Sequence, residues 1–299
     1  MKNITVCGSS SMVGHMICTY FSSIYNYKVR YVEESDIFNN YSNIEDYNFL
    51  KNSNPDYIIN CIRCLVENSE SNPTKAIIYN SYFPRLLEKM FQRTETQIIH
   101  LSTDCVFSGE KGNYNESAIL DGHSYYAKTK AIGEIINNKD ITIRTSFIGP
   151  TIDDNNEELF DWFLMQKGAI TGYDNVLWTG LTTLELAKGI HNLIELGFTG
   201  LYHMVPSKIL SKYNLLVLIK NIWGLEDIII NKDNQMFIVD FDYSGNNDPC
   251  FELGNLSVEM EYDDKQINKL VKSYYGEINE NIICRVNLQG IVSDIGWSL

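Results

Sequence analysis

Within residues 1–150, short apolar runs alternate with stretches of helical periodicity, and this alternation constrains the fold more than any other feature of the chain. Ile4–Cys7, Lys28–Val32, Tyr57–Ile62, Gln97–Ser102 and Ile141–Thr145 read as strands. Met12–Ile24, Pro73–Phe91 and Tyr125–Asn137 read as helices. Strands separated by helices form parallel βαβ units with right-handed crossovers, so the expected class is α/β with a doubly wound parallel sheet. Such sheets bind ligands beyond the carboxyl ends of their strands. Gly8–Gly14, Asn60–Arg63, Ser102–Thr103 and Thr145–Pro150 each follow a strand, and they are expected to gather along one edge.

After Pro150 the pattern loosens. Leu159–Gln166 and Thr183–Leu196 read as helices, with Thr182 or Thr183 as a cap. Leu201–Val205 reads as a strand and Ser211–Trp223 as a helix capped by Ser211. Beyond about residue 230, Phe237–Phe241 and Ile282–Val286 look strand-like. The expected division is a dinucleotide-binding domain over 1–150 and a smaller α/β lobe over 151–299, mainly for substrate. Interleaving of the two is left open.

A formal net charge of −14 argues against nucleic-acid and anionic-membrane partners, although local amides and a few basic groups can still hold a phosphate. No run approaches a membrane span, and Met1-Lys-Asn-Ile-Thr-Val enters a strand without a signal segment, so a cytoplasmic location is expected. Cys7, Cys61 and Cys105 lie in apolar runs and read as buried. Cys61 and Cys64 form a C-x-x-C without a second pair or a histidine cluster, so no metal site is expected.

Gly8-Ser-Ser-Ser-Met-Val-Gly14 follows the first strand and opens the first helix. It fits a G-x-x-G-x-x-G template with Ser11 in the middle glycine's place, and Gly8, Ser10, Ser11, Met12, Val13 and Gly14 become candidates for holding a pyrophosphate. Serine supplies an amide and a hydroxyl, but its Cβ limits how near a phosphate comes. The plainer alternative is an ordinary strand–helix turn. The second strand runs into Glu33-Glu34, where a carboxylate accepts hydrogen bonds from ribose hydroxyls and repels a 2′-phosphate. Glu33 therefore favours NADH slightly over NADPH, unless the pair is only a solvated strand end.

Ser102 and Thr103 end the fourth strand, and Tyr126 and Lys130 stand four apart on one helix face. A lysine beside a phenol lowers its pKa, which suits Tyr126 to donate a proton and Ser102/Thr103 to polarise a carbonyl. Ketone reduction is the chemistry suggested. A half-buried tyrosine beside a solvated lysine is the bland alternative.

Together these segments resemble the extended short-chain dehydrogenase/reductase superfamily with its Rossmann-type sheet, and within it the dTDP-4-dehydrorhamnose reductase family of nucleotide-sugar reductases. The resemblance is carried by Pro55–Cys61, Asn80, Ser102–Gly109 with Lys111-Gly112, Tyr126–Lys130 with Gly133-Glu134, Ile143–Gly149, Trp178–Ala187 and Gly200–His203. It covers roughly residues 1–230. It implies an NAD(P)H-dependent 4-keto reductase of a UDP- or dTDP-linked 4-keto-6-deoxyhexose. Tyr126 would be the acid, Lys130 the ribose ligand that lowers the tyrosine pKa, and Thr103, with Ser102 adjacent, the carbonyl polariser.

By position, Cys61, Ile62, Arg63 and Asn80 would flank the cofactor, while Asp104, Cys105, Phe147 and Trp178 would face substrate. Trp178 and Tyr173 are read equally as ligand contacts and as core. A homodimer is compatible with the resemblance.

The chain also departs from the family. Ser11 replaces a glycine, Cys105 a tyrosine and Phe147 a tryptophan, and Cys61-Ile-Arg-Cys64 stands where alanines are usual. The Asn-Cys-Ile and Cys-Val-Phe-Ser-Gly version resembles reductases of N-acetylated 6-deoxy sugars, such as the UDP-L-rhamnosamine route. A non-catalytic regulatory subunit on the same fold is an alternative reading, as is an epimerase or dehydratase. Asp104 follows Thr103, but the Asp-Glu pair of a dehydratase is absent from that segment.

Overall fold

Apolar β-branched runs and amphipathic helices sort into layers in the computed structural model, which describes residues 1–38, 47–152, 158–233 and 263–275, with residues 282, 283 and 286. The chain begins with β1 (Lys2–Cys7), α1 (Met12–Ser22), β2 (Tyr27–Val32), α2 (Glu34–Phe38), α3 (Asn48–Asn52), β3 (Tyr57–Asn60), α4 (Val66–Ser71) and α5 (Pro73–Ala76). A π-helical segment, Ile77–Tyr82, joins α5 to α6 (Phe83–Phe91). Next come β4 (Gln97–Leu101), α7 (Tyr125–Gly133), β5 (Ile141–Arg144), β6 (Phe147–Ile148), α8 (Leu159–Leu164), β7 (Gly168–Tyr173), β8 (Leu177–Trp178) and β9 (Leu181–Thr182). The remaining elements are α9 (Thr183–Glu195), β10 (Gly200–His203), β11 (Leu210–Ser211), α10 (Lys212–Trp223), β12 (Ile228–Asp233) and α11 (Asp264–Tyr275).

Six strands form one sheet in the order β10-β5-β4-β3-β1-β2. Every neighbouring pair is parallel. Helices cover both faces, as a doubly wound Rossmann-type sheet requires. In β4, Ile98 joins the core that contains Phe83 and Leu87 of α6. Ile99 and Leu101 join the opposite core, with Val13 and Ile17 of α1 and Leu186 and Ile190 of α9. The strand order reverses at β1, so a crevice opens between the carboxyl ends of β1 and β3.

A third core gathers Phe160 and Phe163 of α8, Leu215, Leu216 and Ile219 of α10, and Ile228 of β12. Two-stranded pairings accompany it: β12 with β7, β11 with β8, and β6 with β9. By internal contact, Met1–Gln235 is one compact unit and Met236–Leu299 another. Within the second, Ile267 and Val271 of α11 pack with Val286. Among the described residues, no helix is long and apolar enough to cross a membrane.

Three expectations change. The helix from Tyr125 stops at Gly133 instead of running to Asn137, because Glu134 turns to extended backbone and places its carboxylate in a buried pair with Arg144. Residues 282, 283 and 286 are helical, not strand. Cys105 is exposed, because the 3₁₀ turn Asp104–Val106 carries it off the strand. The expected strand Phe237–Phe241 lies outside the described residues.

Candidate active site

The loop after β1 is shaped by its two glycines and one serine. Gly8 adopts φ +82°, a left-handed conformation that favours glycine. A Cβ on Gly14 would lie 2.0 Å from the Gly8 carbonyl oxygen, so only glycine lets α1 approach the loop this closely. Ser11 has ordinary extended backbone and acts as N-cap of α1. Its hydroxyl accepts from the Gly14 amide at 3.1 Å and donates to the Gly8 carbonyl at 2.7 Å. The middle position therefore needs no glycine, but its hydroxyl is engaged within the loop. The first-turn amides of α1, around Met12 and Val13, lack intrahelical acceptors by helix geometry. Gly8, Ser10, Ser11 and Met12 line a cleft of about 350 Å³. Glu34 lines it too, where the sequence reading placed Glu33. Glu33 is turned outward, its amide donating to Asp36.

The segment after β3 lies against the loop, where a Cβ on Gly8 would come within 3.1 Å of Ile62, and it continues the cleft wall. Two buried asparagines fix it: Asn60 accepts from the Ile62 amide at 3.2 Å, and Asn80 accepts from the Cys64 amide at 2.8 Å. Asn80 also donates to the Cys64 carbonyl and to Thr129 of α7, both at 3.2 Å. It sits in the π-helical segment, a form often found near functional sites. Asn80 is thus a brace between the wall and α7. Gly133 allows that approach, since a Cβ there would lie 1.8 Å from the Asn80 carbonyl oxygen.

Cys61, Ile62 and Arg63 also line a second cleft, of about 290 Å³, floored by Thr103, Tyr126 and Lys130. Tyr126 is buried, and the Thr103 hydroxyl lies near enough to help hold its pKa down. Lys130, equally buried, donates to the Leu101 carbonyl at 2.6 Å. Burial and the nearby Arg63 guanidinium bring its pKa down to about 7, against the pull of Glu134 and Cys61. Burial pushes the Tyr126 phenol up to about 12, and among nearby charges it is Arg63 that pulls it down most. The structure therefore corrects the expected lysine-lowered phenol: Lys130 is turned to backbone, and desolvation dominates at Tyr126.

Of the hydroxyl pair, Thr103 is the one near the phenol. Ser102 donates to Glu134 at 2.8 Å. Glu134 in turn takes a bidentate pair of hydrogen bonds from Arg144, both at 2.7 Å. That pair lies under the Ser-Thr turn and ties the end of α7 to β5.

The substrate-side candidates also gather here. Asp104, Cys105, Phe147 and Trp178 all line the second cleft. Trp178 donates to the Ser146 hydroxyl at 3.1 Å and packs on the third core while also lining the cleft. Tyr173 is not in the lining. The sequence reading missed Lys212 and Glu158, which also face the cleft. Both sit at helix starts outside the motifs quoted above, so no pattern singles them out. Lys212 has its pKa lowered by burial, opposed by Asp104 and Cys105.

Among solved structures, a dTDP-4-dehydrorhamnose reductase from Clostridium acetobutylicum aligns with TM-score 0.69 and 23% identity, over 77% of this chain and 83% of that one. The enzyme of the same name from Bacillus anthracis, in complex with NADP, aligns with TM-score 0.69 and 17% identity, over 78% and 85%. At these identities the likeness is one of fold. The spore coat polysaccharide biosynthesis protein SpsK of Bacillus subtilis (strain 168) is 27% identical over 242 residues, covering 77% of this chain and 83% of that protein. Residues 1–232 match the family described as the RmlD substrate binding domain, and the chain belongs to that family.

Proposed function

We propose that the protein is an NAD(P)H-dependent 4-keto reductase of a nucleotide-activated 4-keto-6-deoxyhexose. The observation that carries this reading is the buried Thr103–Tyr126 hydroxyl pair, with Lys130 one turn on, in a cleft that shares a wall with the glycine-loop cleft. The shared wall suits a dinucleotide lying along it, and the tight Gly8–Gly14 turn suits its pyrophosphate. When bound, the nicotinamide supplies hydride to C4 of the sugar.

The chain's own residues do the rest. Tyr126, protonated at neutral pH, donates to the C4 oxygen, and Thr103 hydrogen-bonds that oxygen as charge builds on it. Lys130, held on the Leu101 carbonyl in the cleft floor, would serve the cofactor ribose, while Ser102 steadies the turn through Glu134. Trp178 and Phe147 offer apolar surface for the sugar nucleotide. Residues 1–150 would hold the cofactor and the later segments most of the substrate, with β10 returning to the sheet. Glu34 at the adenosine end of the cleft favours NADH, although the Bacillus anthracis relative carries NADP. A cytoplasmic enzyme acting on UDP- or dTDP-linked sugars, including N-acetylated ones, fits this reading. The test is NADH and NADPH oxidation with a panel of enzymatically made UDP- and dTDP-4-keto-6-deoxy sugars. Turnover with one member and one cofactor is expected. Inertness to the whole panel would refute the proposal.

A further inference from the structure

Two departures from the family pattern, Ser11 and Arg63, both line the glycine-loop cleft. Ser11 keeps its hydroxyl on Gly8 and Gly14, and its Cβ stands where a glycine would let a phosphate come closer to backbone. The cleft is also acidic for an anion site: Glu34 and Glu158 both line it, in a chain of net charge −14. Arg63 is the only basic residue among its described lining residues.

Its guanidinium is held ready. It ion-pairs with Glu158 and lies over the Phe147 ring, 4.7 Å from the centroid. The backbone beneath it is pinned on both sides, at Ile62 by Asn60 and at Cys64 by Asn80. Arg63 and Glu158 both belong to the wall that the two clefts share. Anything running from the glycine loop to Tyr126 passes this pair.

We propose that Arg63 is a ligand for the diphosphate of the nicotinamide dinucleotide, reaching it from the wall that the two clefts share, and that Glu158 competes with the diphosphate for the guanidinium. A planar fork stacked on an aromatic ring suits two phosphate oxygens at once, which a lysine does not match. Arg63 so replaces the close backbone approach that Ser11 restricts. The inference rests on the dinucleotide reading of the cleft given above, and it gives the flanking Arg63 a specific contact and a competitor.

The test is binding, not turnover. Affinities for NADH and for ADP-ribose, which carries the diphosphate without nicotinamide, are measured by calorimetry at several salt concentrations. Arg63→Gln is expected to weaken both ligands at least about tenfold and to flatten the salt dependence, as loss of a charge-assisted contact should. Arg63→Lys is expected to recover part of the affinity and most of the salt dependence, and it serves if the glutamine variant does not fold. Glu158→Gln is expected to bind both ligands several-fold more tightly. Unchanged affinity and salt slope in Arg63→Gln would overturn the proposal, as would weaker binding in Glu158→Gln. Should the wild-type protein bind neither ligand, the dinucleotide reading itself falls. That result is distinct from a wild type that binds and a variant that binds equally well.

Discussion

The two clefts along the sheet edge are of similar size and share a wall, yet they are built by different means. The glycine-loop cleft is shaped by backbone: a left-handed Gly8, a Gly14 with no room for a Cβ, and a serine cap. The Tyr126 cleft is shaped by buried polar groups that hold one another: Ser102 on Glu134, Glu134 on Arg144, and Lys130 on the Leu101 carbonyl. The first depends on residues within one turn of each other. The second joins residues from β4, α7 and β5, so one substitution should disturb several of its members.

That contrast can be broken at its most buried point. Glu134→Ala leaves the Arg144 guanidinium uncompensated and frees Ser102, and is expected to cost about 3–5 kcal/mol of stability. A urea titration with a markedly lower midpoint would agree; an unchanged midpoint would show that the ion pair is not what holds the floor. Lys130 provides a second test, through pH. Its folded pKa near 7 lies below the unfolded value of about 10.4, so between these the unfolded chain binds a proton that the native one does not. Stability from this group therefore rises with pH across that window, by up to about 1.4 kcal/mol per pH unit. Lys130→Met should remove that slope, and equal slopes in both proteins would contradict the buried setting. The smallest effect is expected at the backbone-built cleft. Ser11→Ala removes one cap and should cost about 1 kcal/mol, seen as a modest fall in melting temperature. A loss as large as that of Glu134→Ala would erase the distinction between the clefts.

The same contrast sets what the sequence could reveal. Strand–helix alternation, the glycine loop and the Tyr126/Lys130 spacing rest on local rules, and the structure places them where those rules lead. Features set by distant partners were not legible. The helix stops at Gly133 because Glu134 has a partner ten residues on, in β5. Glu34, not Glu33, faces the cleft because α2 begins there and fixes which way each side chain points. The parallel pairing of β7 with β12 joins segments whose connection holds no sequence signal of register. Nor could spacing show that burial raises the Tyr126 phenol, since desolvation depends on the whole surround.

The central claim is that Tyr126 delivers the proton in a ketone reduction. Its most direct test compares Tyr126→Phe with the wild-type protein on the member of the nucleotide-sugar panel that supports cofactor oxidation. The account predicts a fall in kcat of about 10²–10⁴-fold with cofactor affinity nearly unchanged. A variant that turns over as fast as the wild type would contradict it.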